Sequence, residues 1–178
     1  LPISGVVHRD VKPDNIFLAG SGPDPVRPIL LDLGLARPHA AGSPAITAAG
    51  AMTGTPAFMP PEQWWGEGVG PASDQYALGV TAWQALTGSL PFAHGALDAL
   101  MRAHLEAPPP EAALPAPVAA WLARCLAKSS AARFPSMESL ITAGDLAFGL
   151  PPPGRPLAPL LGAAGVVSSL LAVGYQGS

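Results

Sequence analysis

Short apolar runs broken by Gly and Pro occupy the chain up to residue 63, and apolar positions at helical spacing dominate afterwards. The apolar runs of NIFLAG (15–20) and PILLDLG (28–34) are separated by the turn-rich stretch SGPDPVR. Two β-type runs joined in this way predict a β-hairpin. The first part of the chain is therefore predicted to consist of small strands and loops.

Residues 73–148 carry the signals of four helices. SDQYALGVTAWQALTG begins with Ser73 and Asp74 as a capping signal and ends at Gly88. Three more helices are predicted within HGALDALMRAHLEA (94–107), PAPVAAWLARCLAKSS (115–130) and SMESLITAGDLAF (136–148). Lys128 lies near the end of the third helix, where a cation interacts favourably with the dipole of its own helix.

The C-terminal part differs in composition. GLPPPGRP (149–156) is typical of a linker, and residues 157–175 contain no charged side chain. This length suits a helix that spans a bilayer, with Arg155 before it and Tyr175 as an interfacial aromatic residue. We therefore predict a transmembrane helix. Because Pro159 and several Gly and Ser residues make the stretch only moderately apolar, a buried soluble helix and an apolar tail are the alternatives.

Composition narrows the class of protein. Hydrophobic residues make up 49% of the 178 residues, enough for one domain with a packed core. The formal net charge of −3 offers no basic surface, so we expect no nucleic acid as a partner. The single cysteine, Cys125, excludes an internal disulfide, and its place on the apolar side of a helix predicts a core position.

Polar side chains are concentrated in HRDVKPDN (8–15), between apolar flanks. Further segments follow in the order LLDLGLAR (30–37), GTPAFMPPEQ (54–63), SDQYALGV (73–80) and AARFPS (131–136). HRDVKPDN resembles the catalytic loop of protein kinases, with its Asp and Asn five residues apart, and the segments occur in the order of the kinase C-terminal lobe. The position of Lys12, two residues after Asp10, resembles that of the lysine in the serine/threonine branch of the family. The sequences of the segments resemble those of the bacterial eukaryotic-type enzymes.

The resemblance implies an α+β, mainly α fold. Residues 1–148 would form the large C-terminal lobe of a protein kinase, with a small β-hairpin element. Transfer of the γ-phosphate of ATP to serine or threonine hydroxyls of protein substrates is the implied activity, with ATP and Mg²⁺ as cofactors. The implied location is the cytoplasm, with anchoring in the bacterial inner membrane through residues 157–175.

The resemblance also assigns chemical roles within the active site. Asp10 would orient the incoming hydroxyl and accept its proton, and Lys12 would supply positive charge to the γ-phosphate. Asn15 and Asp32 offer the hard oxygen ligands that Mg²⁺ prefers. We expect these four residues to form one site.

Regulatory and substrate-contacting positions follow from the same resemblance. Arg9 would receive a phosphorylated activation loop, because a guanidinium binds phosphate in a bidentate way. Thr47 and Thr53 are the candidate phosphosites. Thr55 is similar to the threonine that contacts the catalytic Asp and Lys beside the substrate.

Three further residues are implied to be structural. Glu62 and Arg133 resemble the buried ion pair that joins the substrate-binding segment to the helical base. Asp74 resembles the carboxylate that accepts backbone N–H bonds from the catalytic loop. In LLDLGLAR, Leu33 replaces the usual Phe, a change that leaves Asp32 as a metal ligand.

One departure from the family is large. The residues before His8 contain no Gly-rich loop, no Lys and no Glu, the parts with which a protein kinase covers ATP. Because the sequence also starts with Leu1 rather than Met, we expect the N-terminal lobe upstream on a parent chain. The 178 residues are then predicted to be inactive by themselves. The alternative is a catalytically dead kinase-like C-lobe that acts as a protein-interaction module.

Overall fold

Short strands and five helices form the described part of the computed structural model, which comprises residues 6–20, 27–31, 37–38, 55–93 and 95–149. The strands are β1 Val6–Val7, β2 Ile16–Ala19, β3 Arg27–Leu30 and β4 Arg37–Pro38. The helices are α1 Pro61–Trp65, α2 Pro71–Thr87, α3 Leu97–Glu106, α4 Ala116–Cys125 and α5 Met137–Phe148. Short 3₁₀ turns span Pro13–Asn15, Pro56–Phe58 and Ser130–Ala132.

The predicted hairpin is confirmed. Strands β2 and β3 pair antiparallel, with Ile16 opposite Leu30 and Ala19 opposite Arg27. The Leu31 N–H donates to the Asn15 carbonyl at 2.7 Å, which extends the pairing to the end of the 8–15 segment. The sequence pattern did not predict the second antiparallel pair, between β1 and β4, because two residues per strand are too few to show a period.

Helix α2 is the centre of the hydrophobic core. It packs against α4 and α5, and also against β1. Large side chains buried at these contacts include Tyr76, Val80, Trp83, Leu122, Leu126 and Leu140. Each fully buried apolar side chain of this size contributes roughly 1.5–3 kcal/mol to the free energy of unfolding. The packed helices α2, α4 and α5 therefore form a stable helical base that supports the loops.

The start of α2 differs from the prediction, whereas its end agrees. The helix begins at Pro71, because proline suits the first helical position, and Ser73 and Asp74 lie inside its first turn. Ser73 still caps the helix, since its Oγ accepts the Gly70 N–H at 3.1 Å. The helix ends at Gly88 as predicted, and Gly88 has a φ of +75°, which glycine adopts without strain.

The predicted transmembrane helix at 157–175, and the predicted linker from residue 150 onwards, lie outside the described residues. Within the described ranges, none of the helices combines the length and the apolar character that crossing a bilayer requires.

Gly79 lies where α2 and α4 approach most closely, and we predict that Gly79→Ala destabilises the fold. A Cβ at this position would meet the Cys125 Cβ at 2.6 Å and a Leu126 methyl carbon at 3.3 Å. Overpacking of this kind costs typically about 1–3 kcal/mol, which exceeds the roughly 1 kcal/mol that Ala gains in helix propensity. Because 2.6 Å is much shorter than a normal contact between carbon atoms, we expect a cost near the top of this range and a net loss of up to about 2 kcal/mol in the free energy of unfolding, measured by urea denaturation.

Gly95→Ala is the matched control for this prediction. A Cβ at Gly95 would meet nothing within 4 Å, so the same substitution adds a methyl group without a clash. We expect its free energy of unfolding to stay within about 0.5 kcal/mol of the parent. Equal stabilities for the two variants would contradict a steric limit at Gly79.

Candidate active site

Three side chains donate hydrogen bonds to the carboxylate of Asp10. Lys12 Nζ lies 2.8 Å from Oδ2, and Asn15 Nδ2 lies 3.0 Å from the same oxygen. The Thr55 hydroxyl donates to Oδ1 at 3.2 Å and accepts a bond from Lys12 Nζ at 2.6 Å. The structure thus brings four of the sequence-predicted site residues together, although Thr55 is 45 positions away from Asp10.

The backbone before Asp10 is held by the first turn of α2. The Asp74 carboxylate accepts the His8 N–H at 2.8 Å and the Arg9 N–H at 2.9 Å. Arg9 has a φ of +69°, in the left-handed region that residues other than glycine rarely adopt. The two bonds from Asp74 offset the cost of this conformation and aim the Asp10 side chain at Lys12.

His8 is a packed loop residue. Its side chain is buried, and Nε2 donates to the Leu31 carbonyl at 3.1 Å. This assignment leaves Nδ1 as the acceptor of a long bond, 3.4 Å, from the Asp10 N–H. His8 therefore joins the catalytic segment to the end of β3.

The surroundings of Asp10 and Asp74 shift the pKa values of the two carboxyl groups in opposite directions. For Asp10, burial acts to raise the pKa, but the hydrogen bonds and positive charge of Lys12 and the bonds from Asn15 and Thr55 outweigh it and lower the pKa. For Asp74, burial dominates and raises the pKa against the two backbone N–H bonds. Asp10 is therefore ionised throughout the neutral range and can act as an acceptor.

A depressed pKa also limits what Asp10 can do chemically. A general base is most effective when its pKa lies near the operating pH, and the Asp10 pKa lies below the ordinary value of 3.8. The carboxylate is thus better suited to orienting a hydroxyl group than to removing its proton early. Such positioning is the main requirement when a reaction passes through a loose transition state.

Asn15 fits the donor chemistry of a magnesium ligand. Both hydrogen bonds that the Asn15 side chain makes to other described residues use Nδ2, one to the Asp10 carboxylate and one to the Asp10 carbonyl at 2.8 Å. The amide oxygen is consequently the atom turned toward other partners, and a hard oxygen suits Mg²⁺. Asp32, the second predicted ligand, lies outside the described residues, as do the candidate phosphosites Thr47 and Thr53.

Arg9 has the character of an anion receptor. Its Nε is buried, and no acceptor for it occurs among the described residues. Buried polar groups normally have hydrogen-bond partners, so an open donor beside the catalytic segment is compatible with an anion supplied by another group. The role of Arg9 as a phosphate receiver stays a prediction.

Glu62 and Arg133 form a bidentate ion pair below the site. Arg133 Nη1 lies 2.7 Å from Glu62 Oε1, and Nη2 lies 2.8 Å from Oε2. The Arg133 side chain is fully buried, and that of Glu62 is 12% exposed. Arg133 also donates to the carbonyls of Ala72, Ala127 and Lys128. The pair joins the short helix α1 to the helical base.

The tertiary hydrogen bonds of three polar residues, Ser73, Gln75 and Lys128, were not predicted from the sequence. The Ser73 hydroxyl donates to Glu62 Oε1 at 2.8 Å, and the Gln75 amide bonds to both the N–H and the carbonyl of Phe134. Helix α4 ends at Cys125, so Lys128 lies shortly beyond it, and its Nζ donates to two carbonyls of α3. These partners are distant in sequence, and no local pattern indicates them.

The chain matches a known family over most of its length. The family model described as "Protein kinase domain" matches residues 3–142. This range contains the Asp10 cluster, the Asp74 contacts and the Glu62–Arg133 pair.

Several curated relatives are similar to the chain. Serine/threonine-protein kinase Pkn1 of Myxococcus xanthus is 43% identical over 149 residues, which cover 81% of this chain and 21% of the relative. Serine/threonine-protein kinase PkaA of Streptomyces coelicolor is 38% identical over 137 residues, covering 76% of this chain and 24% of the relative. The probable serine/threonine-protein kinase PkwA of Thermomonospora curvata is 45% identical over 107 residues, covering 60% and 13%. The chain therefore matches between 13% and 24% of the length of these relatives.

Proposed function

This chain belongs to the protein kinase family, and on that premise we propose that it is the large lobe of a bacterial serine/threonine protein kinase. The proposed reaction is transfer of the γ-phosphate of ATP to serine or threonine hydroxyls of protein substrates. The observation that carries the proposal is the cluster around Asp10, in which Lys12, Asn15 and Thr55 all lie within hydrogen-bond distance of one carboxylate. The names of the relatives agree with it.

Each member of the cluster has a task in phosphoryl transfer. A substrate hydroxyl that donates to Asp10 is oriented toward the γ-phosphorus, and Asp10 receives its proton as the new P–O bond forms and the bond to ADP breaks. Lys12, held by Asp10 and Thr55, places a cation where the transferred phosphoryl group carries negative charge. Thr55 joins this cation to the segment on which the substrate lies.

Magnesium is the proposed metal, and Asn15 and Asp32 are the residues proposed to hold it. When bound, Mg²⁺ neutralises phosphate charge and orients the phosphates. The hydrogen bonds from Asn15 Nδ2 to Asp10 orient the amide so that its oxygen is available as a ligand. A single side chain would thus connect the metal site to the residue that orients the hydroxyl.

We predict that the 178 residues have negligible kinase activity by themselves. They contain no Gly-rich loop, and both lysines, Lys12 and Lys128, have other contacts, so nothing in them corresponds to the lysine that holds the α- and β-phosphates. The measurement is transfer of ³²P from labelled ATP to dephosphorylated casein in the presence of Mg²⁺. Clear turnover by the purified 178-residue chain would contradict this prediction.

The native polypeptide provides the test of the proposed function. An antibody against residues 73–148 would isolate it from source cells for the same casein assay. We expect a polypeptide larger than 18.0 kDa that transfers phosphate to serine and threonine. A native polypeptide of 18.0 kDa without transfer would instead favour the alternative, a kinase-like module that acts through protein interactions.

The organisation beyond residue 148 stays a prediction. We propose that residues 149–156 link the kinase lobe to a membrane helix at 157–175, which would anchor a cytoplasmic kinase domain in the inner membrane. Separation of membrane and soluble fractions of source cells, followed by detection with the same antibody, tests the anchor. Recovery of the polypeptide only in the soluble fraction would refute it.

A further inference from the structure

Lys128 follows α4 in sequence, but its side chain donates hydrogen bonds to the end of α3. Its Nζ donates to the Ala103 carbonyl at 3.0 Å and to the His104 carbonyl at 2.8 Å. Both carbonyls belong to the last turn of α3, where Ala103 also accepts the Ala107 N–H at 3.1 Å and His104 has no donor four residues on, because residue 108 is proline. The same ammonium group lies 4.1 Å from the centre of the Phe92 ring, which is within the range of a cation–π interaction.

The Lys128 side chain is only partly exposed, and protein groups take the place of part of the water around its ammonium group. Burial, together with the nearby charge of Arg133, lowers the pKa of Lys128 to about 8. A lysine on the surface would keep its hydration. The two carbonyls and the Phe92 ring replace the lost water, and they hold the side chain in one place.

The turn of α3 that Lys128 holds belongs to a cluster of aromatic rings. His104 is fully buried, and its Nδ1 lies 2.9 Å from the Tyr76 hydroxyl of α2. Its ring centre lies 5.0 Å from that of Phe92 and 6.3 Å from that of Trp64, which is part of α1. A shift of this turn would therefore disturb α1 and α2 together.

Helix α3 also packs against the 3₁₀ turn Pro56–Phe58. Phe58 and Ala103 belong to the same buried cluster. Thr55 directly precedes this turn, and its hydroxyl bonds to both Asp10 and Lys12. A continuous set of packed contacts thus leads from Lys128 through α3 to the segment that meets the catalytic residues.

We propose that Lys128 is a positioning residue for the protein substrate. By holding the last turn of α3 against the helical base, it keeps the segment from Thr55 to Phe58 in register with Asp10. The inference rests on the proposed kinase function, because it concerns the placement of the substrate hydroxyl. Lys128 itself touches neither the substrate nor the phosphate.

Kinetics of the native protein with Lys128→Met provide the first test. Methionine keeps an unbranched side chain but cannot donate to the two carbonyls, so we expect the KM for dephosphorylated casein to rise roughly tenfold. The KM for ATP should stay within about twofold of the parent value, because the contacts of Lys128 with α3 and Phe92 do not involve Lys12 or Asn15. Lys128→Arg should restore the KM for casein, since a guanidinium can donate to both carbonyls and lie over Phe92.

Arg102→Met is the matched control on the same helix. Arg102 pairs only with Asp98 among the described residues, and both side chains are more than half exposed. We expect no change in either KM. An unchanged casein KM for Lys128→Met in an active enzyme would overturn the inference, as would an equal rise for Arg102→Met.

Amide hydrogen exchange of the 178-residue chain tests the inference independently of catalysis. In Lys128→Met we expect roughly tenfold faster exchange at residues 103–107 and also at 57–59, with α5 unchanged. Faster exchange at 103–107 alone would overturn the inference, because α3 would then not hold the Thr55 segment. If the native polypeptide shows no phosphate transfer but the 178-residue chain shows this exchange pattern, the proposed function fails and the coupling between α3 and the Thr55 segment stands.

Lys128→Gln is used if Lys128→Met does not fold. Glutamine retains two donor hydrogens without a charge, so it is expected to preserve the fold and to show a smaller rise in the casein KM. Failure of both variants to fold would show that Lys128 serves overall stability, and the positioning role would be refuted.

Discussion

Replacing Asp10 by Asn is expected to lower the kcat of the native protein by on the order of 10²–10⁴-fold. The amide keeps the shape of the side chain but presents an NH₂ group where Lys12, Asn15 and Thr55 now donate to a carboxylate. It can neither receive the proton of the substrate hydroxyl nor hold Lys12 by charge. The measurement is the initial rate of ³²P transfer to casein at saturating ATP.

Asp14→Asn is the matched control, because Asp14 is an exposed carboxylate of the same loop. We expect the kcat of Asp14→Asn to stay within about twofold of the parent and its melting temperature to stay unchanged. Since the pKa of Asp10 is lowered, protonation of Asp10 should not reduce the wild-type rate between pH 5 and 8. The role of Asp10 would be refuted if Asp10→Asn kept the wild-type kcat, or if Asp14→Asn lost as much kcat as Asp10→Asn.

Breaking the Glu62–Arg133 pair from one side is expected to cost about 3–5 kcal/mol in the free energy of unfolding. Glu62→Gln leaves the fully buried guanidinium of Arg133 without a counter-charge. Arg133→Met removes the donor of the bonds to the carbonyls of Ala72, Ala127 and Lys128. Urea denaturation of the 178-residue chain measures both losses.

The double variant Glu62→Gln/Arg133→Met separates the energy of the ion pair from that of the bonds between Arg133 and the backbone carbonyls. Because Glu62→Gln and Arg133→Met remove the same interaction, the loss in the double variant should be clearly smaller than the two single losses added together. Arg102→Met, which breaks the exposed pair with Asp98, is the surface control and should cost less than about 1 kcal/mol. A loss below about 1 kcal/mol for Glu62→Gln would contradict the prediction, because it would mean that water screens the charges of the Glu62–Arg133 pair.

Much of the fold could be predicted from local pattern. The hairpin, the four long helices and the end of α2 at Gly88 each leave a mark within a few residues, as apolar periodicity or a preferred terminal residue. The start of α2 was displaced by two residues because proline at the first helical position competed with the Ser73 signal. The β1–β4 pair was not predicted, because its two residues per strand show no pattern.

The candidate site could be predicted only through its resemblance to a family. Asp10, Lys12 and Asn15 are close in sequence, but nothing in the local pattern places Thr55 or Asp74 beside them. The structure brings Thr55 to the carboxylate and uses Asp74 to hold the backbone of His8 and Arg9. It also adds Ser73 to the Glu62–Arg133 pair, a contact that has no sequence signal.

The sequence by itself determined the family, the order of the elements and the choice of candidate site residues, because these depend on residue types and on short spacings. Tertiary structure alone decided which groups meet, how strongly the Asp10 pKa is lowered, and which helix end Lys128 holds. The reason is physical. Hydrogen bonds and charge interactions act over a few ångströms in space, and residues that lie far apart along the chain reach that distance only when the core around α2 has packed.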